Sequence, residues 1–218
     1  GRYQLQALPR QLLQPVRGAL GSLTVNFLAH FHLASPDAGL IAGGLEGDYF
    51  KGLLRGELPL DLERGIKLHR AIDAYTDEHS LVQQLRREFP PNLRRYAGML
   101  IDLSFDHYLS LHWSRFSDIP LADFNTATYR TLVEHEASLS HGARMMLALL
   151  QEYDILNLYL TWETVPATAA RIGERFKCHN PFLDVNRGLS PLKGALEHTF
   201  MNFYPQLQSY SKAQAKLL

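Results

Sequence analysis

"NLRRYAGMLIDLSFDHYLSLHW", residues 92–113, is the stretch on which the fold prediction rests. It contains no proline, and Asn92 has the side chain of a good N-cap. The second half of the stretch is apolar on nearly every side, which is typical of a helix at the centre of a domain. The sequence therefore predicts a long, buried, central helix here.

The segments on both sides of this stretch also have helical periodicity. Asp61 is the expected N-cap of the preceding helix, and the helix that follows it should stop before Pro90 and Pro91. Further helices are predicted within residues 121–139, 141–156, 159–176 and 192–218, and no segment alternates as a strand would. Since no repeat or linker is evident, residues 25–218 are predicted to form a single, compact all-α domain.

Residues 1–24 differ from the rest of the chain. They contain arginines but no acidic residue, and Pro9, Pro15 and three glycines interrupt any helix. An Arg-bearing, acid-poor start is also compatible with a transit peptide. We favour a non-native or disordered extension because of these breaks.

The composition excludes several classes of function. The chain has 218 residues and a formal net charge of +0, so no global field attracts nucleic acid, and no apolar run approaches the length of a membrane span. The single cysteine, Cys178, excludes an internal disulfide and fits a reducing compartment. We expect a cytoplasmic protein with neither a nucleic-acid nor a membrane partner.

A regular spacing of ligand-type residues stands out in "GIKLHRAIDAYTDEHS", residues 65–80. His69, Asp73 and Asp77 follow one another at four-residue steps, so their side chains project from one face of a helix. Short acceptor groups repeated in this way suit metal binding and proton transfer.

The central stretch adds a second group of candidate ligands, Asp102, Asp106 and His107. Carboxylates among apolar residues cost several kcal/mol unless they are paired, hydrogen-bonded or bound to a metal. Salt bridges to neighbouring arginines are the alternative for either Asp alone. Both groups together favour a metal site.

Two further segments can contribute ligands. Asp48 lies in the glycine-rich "GLIAGGLEGDYFKGLLRG", where small residues allow a metal to approach or helices to pack tightly. His30 and His32 in "NFLAHFHLA" diverge by nearly half a turn, so one of them can enter the site while the other is structural. Mixed His and carboxylate ligands suit Mn²⁺, Mg²⁺, Fe²⁺ or Zn²⁺, and phosphoester hydrolysis is the leading reaction class.

Four ordered motifs resemble those of the acyl carrier protein phosphodiesterases: "VNFLAHFHLA", "GGLEGDYFKG", "GIKLHRAIDAYTDEH" and "RRYAGMLIDLSFDHYLSLHW". The resemblance is dense from Asn26 to Trp113 and thinner afterwards, apart from "NFYPQL" near the end. One departure is Gly44, where the family has Asn. The resemblance implies an all-α fold distantly similar to that of the HD-type phosphohydrolases, although the reversed Asp106-His107 order departs from an HD motif.

This resemblance implies an activity and a cofactor. The expected reaction is Mn²⁺-dependent hydrolysis of 4′-phosphopantetheine from holo-acyl carrier protein, with Mg²⁺ or Fe²⁺ as other possible metals. One alternative function is an HD-type phosphohydrolase of a small nucleotide or phosphomonoester. Another is a non-catalytic helical binding module that a metal stabilises.

Specific roles follow for the matching positions. The predicted ligands are Asp48, His69, Asp73, Asp106 and Asp77. The predicted catalytic residues are Asp48, His107 as the acid for the leaving group, Asp102, and Arg70 or Lys67 to offset phosphate charge. The acidic carrier protein is expected to bind local basic pairs, namely Lys51 with Arg55, Arg86 with Arg87, and Arg94 with Arg95.

Overall fold

The fold is all-α throughout the part of the chain that the computed structural model describes, residues 26–174, 176 and 180–218; the predicted 1–24 extension lies outside it. No strand occurs among these residues, which confirms the predicted fold class. The helices are α1 (Phe27–Ala34), α2 (Ala38–Glu46), α3 (Leu60–Glu78), α4 (Ser80–Glu88), α5 (Ala97–Leu111), α6 (Leu121–Glu134), α7 (His141–Glu152), α8 (Ile155–Leu158), α9 (Thr164–Gly173), α10 (Val185–Leu189) and α11 (Lys193–Ala215).

Helix α5 is the predicted central helix. Most of its residues are buried, and it contacts α1, α9 and α11. It begins at Ala97, however, and not at the predicted cap Asn92. The chain first makes tighter turns, in which the amides of Leu93 and Arg94 both donate to the carbonyl of Pro90. The Leu93 side chain is buried along this path.

Helix α3 also begins differently from the prediction. Its N-cap is Pro59, whose carbonyl accepts from the amide of Glu63, and Asp61 lies inside the first turn. Proline suits a helix start because its φ is already near the helical value and it has no amide hydrogen to satisfy. The prediction of a cap at Asp61 is therefore wrong by two residues.

Helices α2 and α3 approach each other so closely that their backbones touch. A Cβ built on Gly43 would lie 2.4 Å from the Cα of Gly65, and one built on Gly65 would lie 2.7 Å from the carbonyl oxygen of Gly39. No side chain fits at this crossing. The contact fixes α2, which precedes the Asp48 turn, against α3, which carries His69 and Asp73.

The remaining helices enclose this pair and α5. Helix α11 packs on α3, α4 and α5, and α4 stops at Glu88, before the two prolines, as predicted. The guanidinium of Arg94 donates to the carbonyls of Arg87 and Phe89 and so closes the end of α4. In the described ranges, no helix combines the length and the apolar character that a membrane span requires.

Candidate metal centre

Three side chains from two helices converge on one point. Nε2 of His69 and Nε2 of His30 lie 3.2 and 3.1 Å from the two carboxylate oxygens of Asp73. One ligand-type atom from each residue lies within 4.8 Å of the other two. The His30 and His69 rings stack with centroids 4.1 Å apart. Helix α1 supplies His30, and one face of α3 supplies the other two residues at the predicted four-residue spacing.

Asp48 borders this cluster from the turn after α2. Its Oδ1 lies 3.5 Å from Nε2 of His69, and the side chain is buried. The His69 ring fits beside this turn because residue 47 is glycine. A Cβ built on Gly47 would lie 2.5 Å from two carbon atoms of the ring.

The electrostatics of the cluster favour bound positive charge. Burial lowers the pKa of His69, but contacts with Asp48 and Asp73 outweigh this effect and raise it to about 10. Burial alone would raise the pKa of Asp73, but its contacts with His30 and His69 hold the pKa well below the usual range. Burial raises the pKa of Asp48. Because histidine binds a metal only through a deprotonated nitrogen, a cation would compete here with the proton on His69.

The residues of the cluster fit a divalent metal ion. Nδ1 of His30 is buried without a hydrogen-bond partner among the described residues, and Nε2, although 3.1 Å from a carboxylate oxygen of Asp73, makes no hydrogen bond of good geometry, an arrangement that a shared cation would satisfy. The donor set combines imidazole nitrogen and carboxylate oxygen without a thiolate, which suits Mn²⁺, Fe²⁺ or Zn²⁺. His30, His69 and Asp73 would hold the ion, with Asp48 next to it.

Asp106 lies elsewhere, at the start of α1. Its two carboxylate oxygens accept from the amides of Leu28 and Ala29, at 3.0 and 2.9 Å, and no part of it is exposed. Burial raises its pKa to about 8, although these hydrogen bonds counteract the rise. Asp106 thus caps the helix that carries His30, and the structure does not bring it into the cluster as the predicted ligand.

Asp102 interacts electrostatically with Asp73 and Asp77. Burial, and then the charges of Asp73 and Asp77, raise the pKa of Asp102 well above its usual value. Asp77 is exposed and forms an ion pair with Arg86. Asp102 has no hydrogen bond or ion pair with any described residue, so its carboxyl group is available to a ligand.

His107 is not part of the cluster and contacts other residues. Its Nδ1 lies 2.7 Å from the carbonyl oxygen of Tyr159, and its ring packs edge-on against Trp162. Burial lowers the pKa of His107. One residue along a helix turns the side chain by about 100°, so the neighbour of Asp106 points to a different part of the core.

The two predicted phosphate-binding cations have different surroundings. Arg70 follows His69 and donates from Nη2 to the carbonyl of Phe50 at 2.9 Å, so it holds the segment after Asp48. Lys67 is exposed on α3.

Some of the predicted basic pairs already have structural partners. Arg86 pairs with Asp77, Arg94 closes the end of α4, and Arg95 lies over the ring of Tyr96 at 4.5 Å. Arg87 is exposed. Lys51 and Arg55 are exposed and have no hydrogen bond or ion pair in the described part of the chain.

Sequence reasoning left one metal-binding candidate undecided. His30 and His32 were equivalent in the sequence, but only His30 enters the cluster, while Nδ1 of His32 lies 2.7 Å from the hydroxyl of Tyr204. Glu46 was not singled out at all. It is buried, and its Oε2 accepts from the amide of Ser140, so it ties the turn before Asp48 to the start of α7. The only sequence feature that pointed to Glu46 was its acidic side chain within an apolar, glycine-rich segment.

Comparisons with known proteins agree with the resemblance of the four motifs. The family model for acyl carrier protein phosphodiesterases matches residues 25–207. A protein of that name from Enterobacter sp. (strain 638) is 31% identical over 193 residues, covering 86% of this chain and 98% of that protein. No solved structure matches the chain.

Two further relatives match a shorter part. Proteins named "Acyl carrier protein phosphodiesterase" from Klebsiella pneumoniae and Escherichia coli are 39% identical over 110 residues and 41% identical over 101 residues. These alignments cover 50% and 46% of this chain, and the chain spans 57% and 52% of those proteins. The family match and the Enterobacter relative cover most of the chain, which therefore belongs to the acyl carrier protein phosphodiesterase family.

Proposed function

We propose that this protein is a metal-dependent phosphodiesterase that hydrolyses 4′-phosphopantetheine from holo-acyl carrier protein and leaves the apo form. The observation that carries the proposal is the convergence of His30, His69 and Asp73 in a chain of this family. A buried pair of imidazoles beside a carboxylate is a poor structural choice without a cation but a good binding site for one.

His30, His69 and Asp73 would hold a divalent cation, most simply Mn²⁺. When bound, it would supply positive charge for the phosphate oxygens and lower the pKa of a water molecule enough for attack on phosphorus at neutral pH. The turn of Asp48 and Gly47 keeps the His69 ring in place, since the ring lies against the glycine with no room to move toward it.

The leaving group requires a proton. Hydrolysis breaks the bond between phosphorus and the serine oxygen of the carrier protein, and this oxygen must end as a hydroxyl group. Asp102 is a better candidate than His107 to supply the proton, because its carboxyl group has no hydrogen bond or ion pair with a described residue and its burial raises its pKa. His107 packs against Tyr159 and Trp162 instead.

The first experiment measures the intact mass of purified holo-acyl carrier protein after incubation with this protein and Mn²⁺. We expect conversion to the apo mass with Mn²⁺ and none with a chelator. Asp73→Asn should abolish the conversion, whereas Asp118→Asn, which alters an exposed carboxylate outside the cluster, should not.

Three results would contradict the proposal. Conversion that continues in the chelator would exclude metal dependence. If the holo-protein stays intact while a small phosphomonoester or nucleotide is cleaved, the substrate is a small phosphoester. Binding of Mn²⁺ without any turnover would indicate a metal-stabilised binding module.

A further inference from the structure

The loop of residues 51–59, between the Asp48 turn and α3, has a fixed shape although it is irregular. Gly52 and Gly56 have positive φ values of 108° and 78°, which other residues rarely adopt. The buried carboxylate of Glu63 accepts from the amides of Gly56 and Leu58 at 2.8 and 3.3 Å. Because hydrogen bonds to a buried carboxylate already order this loop, it loses little conformational entropy when it binds a partner.

The outer side of this loop combines apolar and positively charged groups. Leu53 is 76% exposed, whereas its neighbour Leu54 packs against the core. Lys51 and Arg55 flank Leu53 and have no hydrogen bond or ion pair with the described residues. A single exposed leucine is ordinary, but one between two unpaired cations on a fixed loop fits an acidic protein surface with an apolar centre.

The position of the loop matters because of the chemistry of the proposed substrate. The phosphorus is esterified directly to a serine side chain of the carrier protein. The surface around that serine must therefore come as close to the metal centre as one side chain allows. Lys51 follows Asp48 by three residues, which limits their Cα atoms to a separation of about 10 Å. Arg70, next to His69, holds the start of the loop through the carbonyl of Phe50.

We propose that the 51–59 loop is the docking surface for an acidic carrier protein, with Leu53 as the apolar contact and Lys51 and Arg55 as partners for its carboxylates. This inference rests on the proposed function. It selects one of the three basic pairs, because Arg86 and Arg94 already have partners within the fold.

The test measures KM for holo-acyl carrier protein, by intact mass and with Mn²⁺, at low and high salt. Lys51→Glu with Arg55→Glu should raise KM at least about tenfold at low salt and much less at high salt, because exposed charges are screened. Leu53→Ser should raise KM about fivefold at both salt concentrations. The matched control is Lys216→Glu with Leu217→Ser, where Leu217 is 79% exposed, and its KM should stay within twofold of the unmodified value.

The results distinguish this inference from the proposed function. If the unmodified protein does not convert the holo-protein, the proposed function fails. If it does convert it and the loop variants keep the KM of the control, the docking surface lies elsewhere. A KM that rises equally in the loop variants and the control would also overturn the inference, because the effect would then be non-specific. Glu63→Ala, which releases the loop without altering its outer side, should raise KM in the same direction as Leu53→Ser.

Discussion

At the scale of single residues, one absent methyl group decides whether His69 can take its place in the cluster. Gly47 has an ordinary right-handed helical φ of −55°, so its importance is steric and not conformational. The ring carbons of His69 occupy the space where a Cβ would stand. Gly44, one turn earlier, offers a comparison because a Cβ there would lie 3.8 Å from the Phe31 ring, an ordinary contact distance.

Gly47→Ala is therefore expected to weaken Mn²⁺ binding about tenfold or more. Overpacking that displaces a buried ring costs roughly 1–3 kcal/mol, and the ring displaced here is a ligand. Gly44→Ala should bind Mn²⁺ within twofold of the unmodified protein. Titration calorimetry with Mn²⁺ measures both affinities, and equal affinities in the two variants would show that His69 does not bind the ion.

His32 provides a pH-dependent prediction. Burial lowers its pKa from 6.5 to about 4 in the folded protein. Between these values the unfolded chain binds more protons, so the free energy of unfolding should decrease as the pH falls from 6.5 to 4, by at most about 3 kcal/mol. His32→Gln should remove this part of the decrease, whereas His198→Gln, at an exposed ring, should retain it.

Urea unfolding in the presence of a chelator, at several pH values, measures this dependence without a contribution from metal binding. The same pH dependence in His32→Gln and the unmodified protein would refute the assignment to His32.

The sequence could predict some of the cluster at this scale. His69 and Asp73 share a helix face, and periodicity alone places them together. Their meeting with His30 depends on how α1 lies on α3, which no local pattern encodes. For the same reason, the sequence could not distinguish His30 from His32.

At the scale of elements, Asp106 joins the central helix to the helix that carries His30. An acid on α5 could be a ligand or a cap, and the sequence has no means of separating the two because both roles favour a buried carboxylate. The cap is a tertiary contact across 77 and 78 residues of chain, so capping rules based on neighbouring residues do not detect it. Local rules also misplaced the starts of α3 and α5, where Pro59 and the turn at Leu93 decide the helix boundary.

Asp106→Ala should lower the free energy of unfolding of the metal-free protein by about 2–4 kcal/mol, because it leaves two buried amides without acceptors. Mn²⁺ affinity should fall as well, since the start of α1 no longer holds His30 in position. Asp106→Asn keeps one acceptor oxygen, so it should lose less unfolding free energy and less Mn²⁺ affinity than Asp106→Ala.

Chemical unfolding in chelator and Mn²⁺ titration together separate a cap from a ligand. If Asp106 were a ligand, Asp106→Asn would lose metal affinity while the metal-free protein kept its stability.

At the scale of the whole molecule, the all-α fold was predictable because helical periodicity is a local signal that runs along the entire chain. The central position of α5 was predictable from its apolar surface. The order in which the other helices pack was not, because contacts such as that between α11 and α3 join distant parts of the sequence. The likeness to HD-type phosphohydrolases and the cytoplasmic location remain predictions.

Metal binding should stabilise the whole fold, since the ligands come from α1 and α3 and are separated in the unfolded chain. At a Mn²⁺ concentration 100 times Kd, the gain is about 2.7 kcal/mol. For a protein of this size that corresponds to a rise in Tm of about 5–10 °C.

Thermal unfolding with Mn²⁺ and with chelator measures this gain. Asp73→Asn should have the same Tm with Mn²⁺ and with chelator. Asp118→Asn should show the same rise in Tm with Mn²⁺ as the unmodified protein. A Tm that does not respond to Mn²⁺ in the unmodified protein would contradict the metal centre.

The backbone contact of Gly43 with Gly65 has a consequence for kinetics. Helices α2 and α3 cannot slide or separate there without losing a contact that leaves no gap, so the face of α3 and the turn of Asp48 keep their relative positions through thermal motion. This contact orders His69 and Asp73 on α3 relative to the Asp48 turn when the chain folds, and these parts need no later rearrangement when an ion arrives. The rate of ion capture is then set by how readily the ion sheds its water, which is slow for Mg²⁺ because it dehydrates reluctantly.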